Sequence, residues 1–215
     1  MIVLGLDPGF ASVGWAIGHY RRKSKAEKEQ RWTLLGAGVI TTKPNMFGKK
    51  KGKNDDAIDR MRFITREIDD LKFVPPQFKD LPRGEQLVKM EWLAPHLTLI
   101  SSEAMSQGFK GGNAAVSLGR FWGILIAWAE INEKPLVTIS PMALKLHATG
   151  TKTASKELVQ SEMCKRFPEL RPILDSYAKG KREHVADAVA AMFCSTKTDY
   201  GRMFMVHGGH LNENG

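Results

Sequence analysis

The first forty residues set the tightest limit on what this chain can become. Ile2 to Leu6 is a short apolar run stopped by Asp7-Pro8-Gly9. Ser12 to Gly18 carries the alternation Val13, Trp15, Ile17, and Trp32 to Ile40 makes a third run. Period-two alternation bounded by turn residues reads as strand. The connections carry no helical pattern, so the three strands form an antiparallel meander, because parallel neighbours need a long crossover.

Helical spacing begins only after this meander. Asn54 can cap a helix from about Asp55 to Phe73, whose apolar residues Ile58, Met61, Ile64, Ile68 and Leu71 recur at the right intervals. Pro75-Pro76 ends it. Residues 74–95 hold four prolines and read as an irregular insertion. Leu97 to Ser101 is a further strand, Asn113 to Asn132 a helix and Leu136 to Ile139 a strand. Two or three helices follow between Met142 and about Thr196. The expected architecture is one α/β domain over residues 1–196, a five-stranded mixed sheet with flanking helices. It would carry a basic loop at 43–53, the insertion at 74–95 and a disordered or interacting tail at 197–215. That order fits a ribonuclease H-like fold.

Charge points to a partner. The 215 residues hold 32 Lys+Arg against 23 Asp+Glu, a formal +9. Such an excess favours a polyanion, most simply nucleic acid. It is unevenly spread: Arg21 to Arg31 carries +4 and Lys43 to Lys53 carries +5, leaving 21 basic and 21 acidic residues elsewhere. Both stretches read as loops, so the basic excess sits on arms. No apolar run reaches the length of a membrane span, and MIVLGLDPG has neither the basic region nor the cleavage signal of a secretory leader. Cys164 and Cys194 lie in helical patterns without metal-ligand spacing, as buried reduced thiols of a cytoplasmic protein would.

The chemistry lies in the acids. Asp7 ends the first strand, where Pro8-Gly9 turns the chain and leaves the carboxylate at the sheet edge. Glu103 shares the parity of Leu97, Leu99 and Ser101 at the end of its strand. In Glu183-His184-Val185-Ala186-Asp187-Ala188, His184 and Asp187 are three apart on one helical face, with Val185, Val189 and Met192 supplying a packing stripe. Each residue alone also suits a turn, a surface ion pair or a structural histidine. Carboxylates brought together from separate elements raise one another's pKa unless a cation compensates. Hard oxygen donors select Mg²⁺ or Mn²⁺, and two such ions can clamp a phosphodiester for in-line attack by water.

Taken in order, the motifs resemble those of RuvC-type Holliday junction resolvases. The opening IVLGLDPGFASVGWA is similar to the start of that family, and Ile100-Ser-Ser-Glu103 to its second acidic strand end. Asn113-Ala-Ala-Val-Ser-Leu-Gly-Arg120 with Gly123 resembles its central helix. Pro141, Lys145, Gly150, Lys152 and Lys156 follow its basic pattern, and His184-x-x-Asp187-Ala its last motif. The resemblance covers residues 1–20 and 97–196. It implies that Asp7, Glu103 and Asp187 are carboxylate ligands, with His184 as fourth ligand or as acid/base. Two Mg²⁺ ions per site are implied, with Mn²⁺ able to substitute. Lys145, Lys152 and Lys156 would hold phosphates, as would Lys49, Lys50 and Lys51 on the arm and Lys110 beside Phe109.

Two departures stand out. Phe109 lies farther beyond Glu103 than the family's junction-inserting aromatic, and serves either as that wedge or in packing. The segments 43–53 and 74–95 exceed the compact form, which suggests a phage or mobile-element member acting also on forks and flaps. The helix 113–132 is apolar nearly all round and carries Gly119 and Gly123. Its second face is covered by a second copy of the chain in a homodimer, which the resemblance favours, or by residues 74–95 or the tail. The expectation is a Mg-dependent crossover junction endodeoxyribonuclease of the bacterial or phage-infected cytoplasm, with no membrane partner. An RNase H-like nuclease of broader or RNA–DNA specificity and a non-catalytic junction-binding module are the alternatives. An actin-like phosphotransferase, faintly suggested by Asp7-Pro8-Gly9, would need two such domains, and the chain has no repeat.

Overall fold

The computed structural model describes residues 1–21, 31–47, 52–71, 97–104 and 112–207. Five strands form one mixed sheet: β1 (Ile2–Asp7), β2 (Ser12–Arg21), β3 (Arg31–Thr41), β4 (Leu99–Glu103) and β5 (Leu136–Ile139), in the order β3-β2-β1-β4-β5. The meander pairs antiparallel as its connections require. Strands β4 and β5 add in parallel on the other side of β1, each reached by a helical crossover or a long connection.

Strand alternation decides which helix covers which face. Leu4, Leu6, Val13 and Ile17 point to one side, where α1 (Lys53–Asp69) and α2 (Asn113–Ile131) bury Met61, Ile64, Ile68, Phe121 and Leu125 against them. Val3, Ala16 and Leu99 point to the other. There α3 (Pro141–Thr149), α4 (Lys156–Arg166), α5 (Leu170–Asp175) and α6 (Lys179–Cys194) build the second core. In α6, Val185, Val189 and Met192 are fully buried, as their spacing requires. Ser140 and Ser155 cap α3 and α4 by accepting from the N–H groups of Ala143 and Leu158. Both cysteines are reduced and buried.

Several boundaries differ from the sequence reading. Helix α1 begins at Lys53 with Gly52 at its N-cap, so Asn54 lies inside the first turn and is not the cap. It ends at Asp69, and Pro75-Pro76 lie outside the described residues. Ile58 is 50% exposed and leaves the α1 stripe, whose place on the buried face Ala57 and Arg60 take. Strand β4 starts two residues after Leu97. Four α-helices replace the expected two or three, because Ser155 and Pro168 break the run. Part of the tail is ordered: a 3₁₀ turn at Ser195–Lys197 leads into α7 (Asp199–His207), with Arg202 N–H donating to Thr198.

The described surface of α2 is two-sided. Phe121, Leu125, Trp128 and Ala129 meet the sheet and α1, and the Trp128 indole donates to Asp69 at 2.7 Å. Val116, Ile126 and Ile131 stand exposed, and the space around the Gly119 and Gly123 Cα atoms is open.

Candidate active site

Three carboxylates converge where β1, β4 and α6 meet. Asp7 ends β1 on the same side as Val3 and Gly5, and Glu103 ends β4 on the same side as Leu99 and Ser101. Ser101 fixes this face by donating to the Ala191 carbonyl of α6 at 2.8 Å. Asp187 comes from α6, and one oxygen from each acid lies within 4.8 Å of the others.

The approach of α6 depends on residues without side chains. Gly5 and Gly14 lie on adjacent strands, and Gly14 pairs directly with Asp7. A Cβ at Gly5 would overlap the Ala188 carbonyl, and one at Gly14 would overlap that of His184. These glycines therefore let the helix lie against the sheet. Ala188 and Ala191, both fully buried, do the same from the helix side.

Electrostatics follow from this convergence. Burial first, then Asp7 and Asp187, pushes Glu103 up to about 7. Burial first, then Asp7, pushes Asp187 up to about 7. Three carboxylates this close are not stable as a fully ionised set without a cation. An all-oxygen donor set fits Mg²⁺ or Mn²⁺ and suits softer metals poorly.

His184 does not join the three-oxygen cluster directly. Its Nδ1 sits 2.6 Å from Asp7 Oδ2, and this hydrogen bond raises the imidazole pKa. A histidine hydrogen-bonded to a carboxylate in this way orients that carboxylate. The recess above the acids has a volume of about 350 Å³, and Lys145 and Lys156 line it with Pro141 and Leu144. Lys156 also bridges Glu183 at 2.7 Å, which raises its own pKa. Lys152 is exposed in the turn between α3 and α4 and does not line the recess. Lys49, Lys50, Lys51, Phe109 and Lys110 lie outside the described residues.

Sequence reasoning overlooked Arg60. Its guanidinium is buried under the turn that follows Asp7, donating to the Phe10 carbonyl at 3.0 Å and Thr42 Oγ1 at 2.9 Å. It also stacks on the Phe10 ring at 3.8 Å. Thr42 donates to the same carbonyl, so β3, α1 and the Asp7 turn are tied at one point. The available signal was position: Arg60 falls three residues after Ala57 and four before Ile64, on the buried stripe.

No family model matches the chain. Curated relatives extend over nearly all of it. The crossover junction endodeoxyribonuclease RuvC of Endomicrobium trichonymphae is 25% identical over 198 residues, covering 92% of this chain and 82% of the relative. That of Alkaliphilus oremlandii is 25% identical over 209 residues, covering 96% and 99%. Among solved structures, Thermus thermophilus RuvC superposes with a TM-score of 0.61 at 20% identity, covering 94% of this chain and 96% of that one. The same protein in complex with Holliday junction substrate gives 0.61 at 19% identity. The fold is therefore ribonuclease H-like, and the resemblance to RuvC-type enzymes runs along nearly the whole chain.

Proposed function

We propose that this chain is a structure-selective endonuclease, working in the cytoplasm as a homodimer. It resolves four-way and related branched DNA by metal-dependent phosphodiester hydrolysis. The observation that carries this reading is the meeting of Asp7, Glu103 and Asp187 within 4.8 Å at one end of a ribonuclease H-like sheet. Asp7, Glu103 and Asp187 would hold Mg²⁺, two ions per site with Mn²⁺ able to substitute, and the bound ions supply water activation and charge neutralisation at the phosphate.

The remaining work falls to side chains. His184 keeps Asp7 aimed through its Nδ1 contact and leaves Nε2 to exchange a proton with the attacking water or the departing 3′ oxygen. Lys145 and Lys156 neutralise the phosphates flanking the scissile one. Lys152 in the adjoining turn engages the backbone farther out, and Lys49, Lys50, Lys51 and Lys110 are assigned to the backbone as well. Phe109 serves the branch point. The exposed apolar stripe of α2, with open space at Gly119 and Gly123, supports a two-fold interface there. Two sites so related would place paired nicks across a junction.

The test is Asp7→Asn on matched four-way, fork, flap, RNA–DNA hybrid and linear substrates in Mg²⁺ and Mn²⁺. Junction binding should survive while nicking collapses. Full nicking by the variant would remove Asp7 from the site. Equal cutting of linear duplex by the unaltered protein would defeat the junction assignment while leaving a nuclease, and preferential cutting of the hybrid would redirect the reading to RNA–DNA substrates.

A further inference from the structure

An aromatic and basic recess lies on α1, the helix that covers the face of the sheet opposite the acids. Strands β1 and β3 both pair antiparallel to β2, so Asp7 and Thr41 end at one edge. The chain after Thr41 forms a turn over 44–47, whose Asn45 adopts φ 54. Asparagine tolerates this left-handed conformation better than most residues. The Asn45 N–H donates to Asp56 at 2.7 Å, and the Phe47 ring meets Phe63 of α1 at 5.6 Å with a 54° tilt. This hydrogen bond and this aromatic contact hold the turn against the helix.

Phe47, Phe63, Arg62, Arg66 and Asp59 enclose a recess of about 240 Å³. That is below the roughly 300–1,000 Å³ of sites that engulf a free small molecule. It suits one planar ring presented at the end of a chain. Phe47 is 45% exposed despite its contact with Phe63, and the Arg62 side chain is 70% exposed. Arg62 forms an i,i+3 ion pair with Asp59 at 3.8 Å, of a kind that holds an exposed guanidinium weakly. The segment leading onward, Lys43 to Lys53, contains five basic residues and no acid.

Exposed aromatic faces interleaved with arginines are the elements with which proteins hold unpaired nucleotides, by base stacking and phosphate pairing. The recess is mechanically linked to the candidate centre. Asp56, which anchors the turn, lies 3.8 Å from Arg60, and Arg60 donates to Phe10, three residues beyond Asp7. Phe63 is one helical turn from Arg60, about 4.5 Å along the axis.

We propose that the recess formed by Phe47, Phe63, Arg62 and Arg66 binds an unpaired nucleotide of the DNA substrate, stacking its base on Phe47 and pairing its phosphate with the arginines. This deepens the branched-DNA reading and rests on it. A site for an unpaired nucleotide favours forks, flaps and opened junction centres over uninterrupted duplex.

The experiment measures equilibrium binding of the full chain, without metal, to three probes. These are a single-stranded oligothymidylate, a fork with one unpaired arm and a linear duplex. The proteins are Phe47→Ala, Phe47→Trp, Arg66→Ala and the unaltered chain, each checked by thermal melting. Phe47→Ala should weaken binding to the oligothymidylate and the fork by about tenfold and leave linear duplex within twofold. Phe47→Trp should restore it. Arg66→Ala should reduce the salt dependence of fork binding by about one charge. Unchanged binding by Phe47→Ala, or equal losses on fork and linear duplex, would overturn the proposal. If the unaltered protein shows no preference for fork over duplex, the branched-DNA reading fails. The oligothymidylate arm with Phe47→Ala still decides the recess.

Discussion

Replacing Gly14 by alanine adds a single methyl group at the point where the candidate site is tightest. The new Cβ would overlap the His184 carbonyl oxygen and come within 3.2 Å of Asp7 Cβ. Neither neighbour is the free end of a flexible side chain. One is helix backbone, and the other is a carbon of the paired strand. Relief therefore requires α6 to lift from β2, carrying His184 and Asp187 with it. Separation to ordinary contact takes on the order of 1 Å. Overpacking of this kind costs about 1–3 kcal/mol, and for a chain of this size each kcal/mol lowers Tm by about 2–4 °C. A 1 Å misplacement of catalytic groups can cost about 100-fold in rate.

Gly18 is the control. Its added Cβ would meet the Sδ and Cε of Met192, the flexible end of a long side chain, and the ring of Trp32 at 3.1 Å. Both glycines lie on β2 and face the same helix, but Gly18 is a turn and more of α6 away from the acids. Nicking of a four-way junction and thermal melting should be measured for both variants. Gly14→Ala should lose about 100-fold in kcat with a modest Tm decrease, and Gly18→Ala should change kcat by less than about threefold. If Gly14→Ala nicks within twofold of the parent, the close approach of α6 is not what builds the site. The same follows if Gly18→Ala is equally impaired.

Further expectations concern other parts of the molecule. Glu103 and Asp187 both stand at about 7, above their usual 4.5 and 3.8. The metal-free protein should therefore keep this contribution to stability below about pH 4 and lose it as the pH rises through about 7. Bound Mg²⁺ favours the ionised acids, so the rise in Tm on adding it should be larger at about pH 8 than at about pH 6, and an equal rise would contradict the shared cation site. Arg60→Met removes two hydrogen bonds to Phe10 and Thr42. It should destabilise by about 1–3 kcal/mol and raise the Mg²⁺ concentration needed for half-maximal nicking, measured by titration. Ile126→Glu on the exposed face of α2, where Ile126 is 49% exposed, should leave Tm within a few degrees. It should convert a dimer to a monomer in sedimentation and replace paired cuts by single nicks.

How far the site could be read from sequence follows from what kind of interaction makes each part. The strands and the acids at their ends were legible because period-two alternation fixes both the face and the position of Asp7 and Glu103. The spacing of His184 and Asp187 likewise placed them together on one helix. Arg60 was hidden because charge is ordinarily assigned to solvent, and only its three- and four-residue offsets from Ala57 and Ile64 marked it as inward. Ile58 was misassigned for the complementary reason: apolar character suggested burial, but the pocket between α1 and α2 leaves it 50% exposed. The glycines could be seen in the sequence, yet their necessity appears only when the α6 backbone is in place above them. Local periodicity writes the elements, and nonlocal contact selects the residues that bring the elements close.

That division bears on the charge. A cluster of three carboxylates repels a polyanion, and among the described residues Lys145 and Lys156 are the lysines that line the recess. Lys156 is already bridged to Glu183, so the site itself is poorly attractive to a polyanion. The excess of +9 resides in Arg21–Arg31 and Lys43–Lys53, segments that start from the ends of β2 and β3. Strand β3 ends at the same end of the sheet as β1, with β2 between them, so the second segment starts from the end of the sheet that carries Asp7. The formal charge excess and the acids thus lie on different parts of the sequence. Basic side chains inside the cluster would compete with the cation for the acids, whereas in the proposed reading the same charges elsewhere in the sequence draw in the backbone and leave the acids available. Salt should therefore weaken substrate capture far more than the rate of the bound complex. Single-turnover nicking at saturating protein would detect the difference, and an equal loss in both would mean that the arm cations act within the reacting site itself.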